Sequence, residues 1–103
     1  MKKISLSEAP KVPHNLEGYI MHSSSTLEVI HLCLQPGQII AQHPNPFDVV
    51  ACVVAGEVEL NMGKDQTKLS LYDVVEIEKK ADRGFTNKGK SEARLLILKK
   101  IQG

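Results

Sequence analysis

The 103-residue sequence has no tryptophan, two tyrosines, two phenylalanines and only two cysteines. It also has almost no net charge, because 13 basic residues are matched by 12 acidic ones. So few cysteines exclude a disulfide-rich scaffold. A balanced charge without a concentrated basic face gives no reason to expect binding to nucleic acid or to an anionic membrane.

Long apolar runs are also missing. The longest uncharged apolar stretch, residues 49–56, is far shorter than the roughly 20 residues that a membrane-spanning helix needs. The first residues lack the apolar core of a secretory signal, and both cysteines, Cys33 and Cys52, lie inside apolar runs. These features predict a cytoplasmic protein with reduced thiols and no membrane partner.

Short segments rich in valine, isoleucine and leucine recur instead, separated by turn residues about every eight to twelve positions. This spacing predicts about eight to ten short strands in a single domain spanning residues 1–103. The predicted strands are residues 19–22, 27–34, 39–42, 47–54, 57–62, 67–71, 74–78, 85–87 and 93–99.

Two of these segments indicate how the strands are layered. Residues 47–54 are apolar on both faces, which is typical of a strand buried between two layers. Residues 57–62 alternate strictly, so one face of that strand is packed and the other is in water. We therefore expect a double-sheet roll, in which closure protects the strand edges.

A glycine and a histidine set the spacing of a motif in the first half of the chain. Gly37 precedes His43-Pro44-Asn45 by five residues, Val49 follows after three more, and Gly56 after a further six. In this order the chain resembles the small single-domain cupins, over residues 27–98. The resemblance implies an all-β, cupin-type jelly-roll β-sandwich.

The second half contains a degenerate form of the second cupin motif. Tyr72 stands where that motif has the glycine of a Gly-Asp turn, and Glu78 and Lys80 replace a proline and a glycine. Arg83 replaces the motif histidine, whereas Asn87 matches the motif asparagine. The spacing of the two cupin motifs is therefore matched better than the residues that carry the family's chemistry.

In the family, three histidines and a glutamate hold one divalent metal inside the barrel. Only His43 carries over as a ligand type, because Val49 has no lone pair and Arg83 is a permanent cation. We therefore predict no metal cofactor. As an alternative, a divalent metal is held by a rebuilt set of His31, Cys33 and His43, if the first two line the cavity.

The candidate site combines these motif positions with strand parity. Arg83, Phe85 and Asn87 share one face of their strand, and Arg83 either clamps an anion bidentately or pairs with a carboxylate on the surface. Asn45 and Asn87 have alternative structural roles, in a turn and at a strand end. The predicted ligand-binding residues are His43, Asn45, Val49, Arg83, Phe85 and Asn87.

Three functions are compatible with these residues. The first is binding of a small organic anion or a sugar-like ligand in the barrel without a metal. The second is an enzyme, either an isomerase or epimerase with His43 as the base, or a metal-dependent oxygenase with an unconventional ligand set. The third is a structural or regulatory dimer module. The resemblance also implies a homodimer in which sheet-to-sheet packing covers apolar strand faces.

Overall fold

A computed structural model of the chain describes residues 1–13 and 15–101. They form nine strands and one short 3-10 turn at Leu6–Glu8, and no helix in this part of the chain is long and apolar enough to cross a membrane. The strands are β1 Glu17–Ser23, β2 Leu27–Leu34, β3 Ile39–His43, β4 Asp48–Ala55, β5 Val58–Met62, β6 Asp65–Leu69, β7 Val74–Ile77, β8 Arg83–Thr86 and β9 Ala93–Lys100.

The nine strands form two antiparallel sheets. One sheet has five strands in the order β1-β2-β9-β4-β7, and the other has four in the order β3-β8-β5-β6. Strands far apart in sequence are neighbours in space, since β9 lies between β2 and β4. The all-β jelly-roll prediction is therefore confirmed.

The core lies between the two sheets, where alternate side chains of each strand meet. It is closed at one end, where Leu34, Val53 and Leu95 have no measurable exposure. The other end of the sandwich is open, and it contains the cavity described below.

The prediction that the strand at residues 47–54 is buried on both faces is only half right. Val49, Ala51 and Val53 are buried against the other sheet, but Val50 and Cys52 on the opposite face remain partly exposed. The strand belongs to an outer layer of a two-layer fold, so one of its two apolar faces has no second layer among the described residues.

One predicted strand is shifted along the chain. The β5–β6 hairpin closes through the two residues Gly63 and Lys64, so that Asp65 already pairs with Met62. The returning strand therefore starts and ends earlier than the predicted residues 67–71, and Leu71 lies outside it, exposed.

Two turns keep the backbone conformation of the cupin motif after losing its glycines. Tyr72 and Lys80 both have φ of 70°, in the left-handed region where a side chain is disfavoured. Each is held by a main-chain hydrogen bond: Tyr72 N–H donates to the Val53 carbonyl at 2.8 Å, and Lys80 N–H to the Asn45 carbonyl at 2.7 Å. Tertiary contacts thus override the local preference.

Candidate functional site: a cavity at the open end of the barrel

The open end of the sandwich encloses a cavity of about 320 Å³. Its wall is mainly apolar, and within residues 1–13 and 15–101 it includes no carboxylate. The apolar lining residues are Val12, Leu16, Ile30, Leu32, Ile40, Val49, Ala51, Ile77, Phe85 and Ile97. The polar lining residues are His43, Asn45, Arg83 and Lys99.

Arg83 is the dominant charge in this cavity. It is the first residue of β8, pairs in register with His43 at the end of β3, and is only 6% exposed. Its Nη1 donates a long hydrogen bond of 3.4 Å to the His43 carbonyl oxygen. Burial lowers the pKa of the guanidinium from its usual value, yet arginine stays protonated at neutral pH.

Arg83 does not form the ion pair with a surface carboxylate that the sequence left open as an alternative. Among the described residues, the ion pairs within 4.0 Å involve other cations, so neither Glu76, Glu78 nor Asp82 forms an ion pair with Arg83. A buried charge is normally paired, because removing it from water is costly. Arg83 therefore lacks the counter-ion that its burial calls for.

His43 lies on the cavity wall with its ring partly in solvent. Its Nδ1 is 2.9 Å from the carbonyl oxygen of Ala41. Because a carbonyl oxygen only accepts hydrogen bonds, this contact assigns the proton of the neutral ring to Nδ1. The lone pair then resides on Nε2, which can accept a hydrogen bond or a proton.

Asn45 has both of the roles considered for it. Its Oδ1 accepts a 3.0 Å hydrogen bond from the Phe47 N–H, which forms a local turn between two prolines. The residue also lines the cavity. Its amide Nδ2 is the group that remains able to donate to a ligand.

Lys99 is a lining residue that the sequence-based site did not include. It continues the inward-facing series of β9 after Leu95 and Ile97, and it pairs in register with Val49. Its Nζ is 3.7 Å from Glu28 Oε1, so its charge is loosely compensated. Its parity with Leu95 and Ile97 along β9 is the sequence signal that could have indicated an inward position.

The structure does not place Asn87 at the cavity with the other predicted site residues. Asn87 is fully buried, does not line the cavity, and donates from Nδ2 to the carbonyl oxygens of Leu34 and Ser91, both at 2.9 Å. Its Oδ1 accepts from the Gly89 N–H at 2.9 Å. Four residues of extended chain place it about 13 Å along the barrel from Arg83.

The alternative metal set of His31, Cys33 and His43 is not assembled. Ile30 and Leu32 of β2 line the cavity, so the alternate residues His31 and Cys33 face the other side of the sheet. His31 Nε2 lies 3.2 Å from Arg94 Nη1, outside the barrel. The expectation that these two residues line the cavity is therefore wrong.

Cys33 instead meets two carboxylates, Glu17 and Glu92, with the three ligand atoms within 4.8 Å of one another. Both oxygens of Glu92 accept hydrogen bonds, from Arg94 Nε at 2.8 Å and Gln35 Nε2 at 2.6 Å. Burial raises the pKa of the Cys33 thiol to about 11. These contacts make the cluster a charge-paired network rather than a prepared metal site.

The fold and the cavity together define a small jelly-roll barrel with one open, ligand-accessible end. The sequence profile of the cupin domain matches residues 30–99. The chain therefore belongs to the cupin family. No curated protein matches this sequence.

Solved structures show the same architecture at low identity. A conserved double-stranded β-helix protein from Klebsiella pneumoniae is 21% identical, with a TM-score of 0.82 over 97% of this chain and 90% of that one. A protein from Thermus thermophilus is 24% identical, with a TM-score of 0.81 over 97% of both chains. The polyketide cyclase RemF from Streptomyces resistomycificus is 10% identical, with a TM-score of 0.86 over 99% and 80%.

The cavity residues do not fit the metal of the family. The motif positions contain His43, Asn45, Val49 and Arg83, which provide one imidazole, one amide and a buried cation. Metals held for catalysis generally have three or more N, O or S ligands. The Arg83 guanidinium would also repel a divalent ion at this position.

Proposed function

We propose that the open end of the barrel binds a small organic anion, with its acidic group on Arg83 and an apolar body directed inward. The observation that carries this proposal is an arginine that is 6% exposed, lines an apolar cavity and has no carboxylate partner among the described residues. A bound anion supplies the missing counter-charge.

A carboxylate suits this position better than a phosphate. The planar guanidinium binds a carboxylate through two parallel hydrogen bonds, and a monoanion balances one free cation. The Lys99 ammonium group already forms a long ion pair with Glu28, so it offers a second, weaker positive charge. A phosphate dianion would need a more concentrated set of donors.

The rest of the cavity selects an apolar ligand body. Ala51, Phe85 and Ile97 lie two residues, or about 7 Å, further into the barrel along the strands that carry Val49, Arg83 and Lys99. A volume of about 320 Å³ is at the small end of known ligand pockets. The favoured ligands are therefore short alkyl or aromatic monocarboxylates.

Matched ligand pairs test the proposal directly. We would measure thermal shifts and calorimetric affinities for benzoate against benzamide and for hexanoate against hexanamide, with inorganic phosphate and neutral sugars alongside. A ligand at about 100 times its Kd stabilises the fold by about 2.7 kcal/mol, which raises Tm by roughly 10 to 20 °C. The acids should produce such a shift and the amides should not.

Two arginine variants locate the effect. Arg83→Gln should abolish the response to carboxylates, because it removes the charge and the bidentate geometry. Arg94→Gln, which changes an arginine outside the barrel, should leave the response intact. Equal shifts for acids and amides, or a response that survives Arg83→Gln, would rule out the proposal.

His43 supports a second candidate, proton transfer at a carbon that lies near the bound carboxylate and next to a carbonyl group of the ligand. The contact between Nδ1 and the Ala41 carbonyl leaves Nε2 as the basic atom, and His43 is the register partner of Arg83. An imidazole with a free ring nitrogen is a suitable base for an isomerase or epimerase.

Deuterium exchange separates this enzyme from a simple binder. If His43 is a base, short 2-oxo acids that bind should exchange their C3 protons with D₂O faster than in free solution, as followed by NMR. His43→Gln should stop the exchange while carboxylate binding persists. Binding without exchange would leave the anion-binding proposal as the whole function of the cavity.

A further inference from the structure

The inward face of the five-stranded sheet consists of rows of side chains that mark depth in the cavity. Strand register defines three rows from the open end inward: Val49 and Lys99, then Ala51, Ile97 and Ile30, then Val53, Leu95 and Leu32. Successive rows are two residues, or about 7 Å, apart. Val53 and Leu95 have no measurable exposure, whereas Leu32 lines the cavity. The third row, which we call the inner row, therefore closes the inner end of the cavity.

The inner row continues on to the edge strand β1, where it meets a glycine. Gly18 pairs in register with Leu32, so it occupies the inward-facing position of β1 but has no side chain to extend the row. A Cβ atom at this position would lie 2.8 Å from both Val12 Cγ2 and Leu32 Cδ2. Packed carbon atoms are normally about 3.5–4.0 Å apart. The space that a side chain of Gly18 would need is therefore already filled, in part by Val12.

Val12 belongs to a short segment that lies along the free edge of β1. Its N–H donates to the Gly18 carbonyl oxygen at 2.9 Å, and the Ile20 N–H donates to the Pro10 carbonyl oxygen at 2.7 Å. These hydrogen bonds hold the segment in place and set Val12 level with Gly18. The Val12 side chain packs against the core and lines the cavity. Val12 thus supplies the part of the inner end that β1 does not.

We propose that Val12 sets the length of the ligand that the cavity accepts. This inference rests on the proposed binding of an anion, in which the acidic group lies on Arg83 at the open end and the apolar body points inward. Lys99 and Leu95 are four residues apart, so the inner row lies about 13 Å from the open end along β9. An alkyl chain that grows inward from Arg83 therefore approaches Val12.

Val12 differs from the other residues at this depth in what surrounds it. Leu32 and Leu95 belong to strands that have a neighbour on both sides, and Leu95 is fully buried in the core. Val12 is partly exposed and precedes the first strand. A change at Val12 can therefore alter the length of the cavity without a change in either sheet, which makes it a specificity-determining position.

A series of straight-chain acids tests the inference. We would measure calorimetric affinities from butanoate to dodecanoate for the native protein and for Val12→Ala. The affinity should rise by about fourfold for each methylene that is buried, and stop rising when the chain reaches Val12. Val12→Ala removes two methyl groups, so the rise should continue for one or two more carbons. The first acid that is too long for the native protein should bind about tenfold tighter to Val12→Ala.

Two further variants show whether the effect is specific to this position. Val29→Ala makes the same change on the opposite face of β2 and should keep the native length limit, because the alternate residues Ile30 and Leu32 line the cavity. Adding Gly18→Ala to Val12→Ala returns one methyl group to the vacated space and should move the limit back toward the native value. A limit that is the same in Val12→Ala and the native protein, or that moves equally in Val29→Ala, would overturn the inference.

Neutral alcohols separate a failure of this inference from a failure of the anion-binding proposal. A hydroxyl group needs no counter-charge, so n-alkanols from butanol to decanol, followed by NMR chemical shifts, probe the apolar part of the cavity alone. If the acids do not bind but the alkanol limit lengthens in Val12→Ala, only the anion-binding proposal fails. If the acids bind with the same limit in both proteins, only the role of Val12 fails. If neither series binds, both fail.

Discussion

The buried polar side chains at the two ends of the barrel differ in how many hydrogen-bond partners they have. Arg83 and Asn87 lie on the same face of the chain segment around β8 and are both buried. At the closed end, both polar atoms of the Asn87 side chain have protein partners, three in all. At the open end, the Arg83 guanidinium has one long contact to a carbonyl oxygen.

This difference separates a stabilising polar group from one that is available for binding. A satisfied buried amide fixes the chain that surrounds it, here the segments of Leu34, Gly89 and Ser91. An unpaired buried cation weakens the ligand-free fold and strengthens the interaction with any anion that replaces the missing partner. The closed end therefore maintains the fold, and the open end is where we place function.

The largest expected effect comes from rebuilding the family metal site at the open end. The triple variant Asn45→His, Val49→Glu, Arg83→His adds three ligands beside His43, and should bind Zn²⁺ with a Kd of about 1 µM or tighter, or about 8 kcal/mol. Metal analysis after dialysis measures this. Val49→Glu alone should bind none, because the new carboxylate pairs with Arg83. Stoichiometric metal in the unaltered protein would contradict our assignment of the cavity.

Truncation of core residues should cost more at the closed end than at the open end. Leu95→Ala empties a fully packed position and should lower the free energy of unfolding by about 4 kcal/mol. Ile97→Ala, two residues along the same face, enlarges an existing cavity and should cost about 2 kcal/mol. Urea denaturation measures both, and equal losses would mean that the two ends are packed alike.

Removal of the Asn87 amide should be nearly as damaging. Asn87→Ala leaves two carbonyl oxygens and one N–H without partners in a buried region, so we expect a loss of about 3 kcal/mol. Asn61→Ala removes one partly buried hydrogen bond to Thr86 on the four-stranded sheet and should cost less than about 1 kcal/mol. Similar losses for the two variants would show that the Asn87 network contributes little.

The smallest expected effect is a gain in the free energy of unfolding rather than a loss. Arg83→Leu replaces an unpaired buried cation by an apolar side chain in an apolar cavity, and should stabilise the ligand-free protein by about 1 kcal/mol. The same variant should lose all response to carboxylates. A marked destabilisation in urea would indicate that Arg83 has a structural role that its few contacts do not reveal.

The strand pattern and five of the residues that line the cavity follow from the sequence alone. Period-two alternation and turn residues locate all nine strands, and five of the six predicted site residues line the cavity: His43, Asn45, Val49, Arg83 and Phe85. Whether they bind a ligand stays a prediction. The motif spacing located them because strand register converts residue spacing into position around the barrel.

The errors come from depth along the strands and from the choice of face. Parity places Asn87 on the same face as Arg83 but does not reveal that one is at the closed end and the other at the open end. His31 and Cys33 were assigned to the wrong face of β2, because that strand is apolar on both sides and its pattern is ambiguous. Lys99 was missed because a lysine near the end of a strand is usually on the surface.

The sequence by itself determined the fold class, the strand order along the chain and the loss of the metal ligands, since these depend on local periodicity and on which atoms each side chain has. Only the tertiary structure decided which polar groups are paired. Asn87 has protein partners for both polar atoms, Arg83 has no ion pair among the described residues, and one outer sheet surface is left apolar. Pairing depends on contacts between residues far apart in the chain, and these exist only once the two sheets have closed.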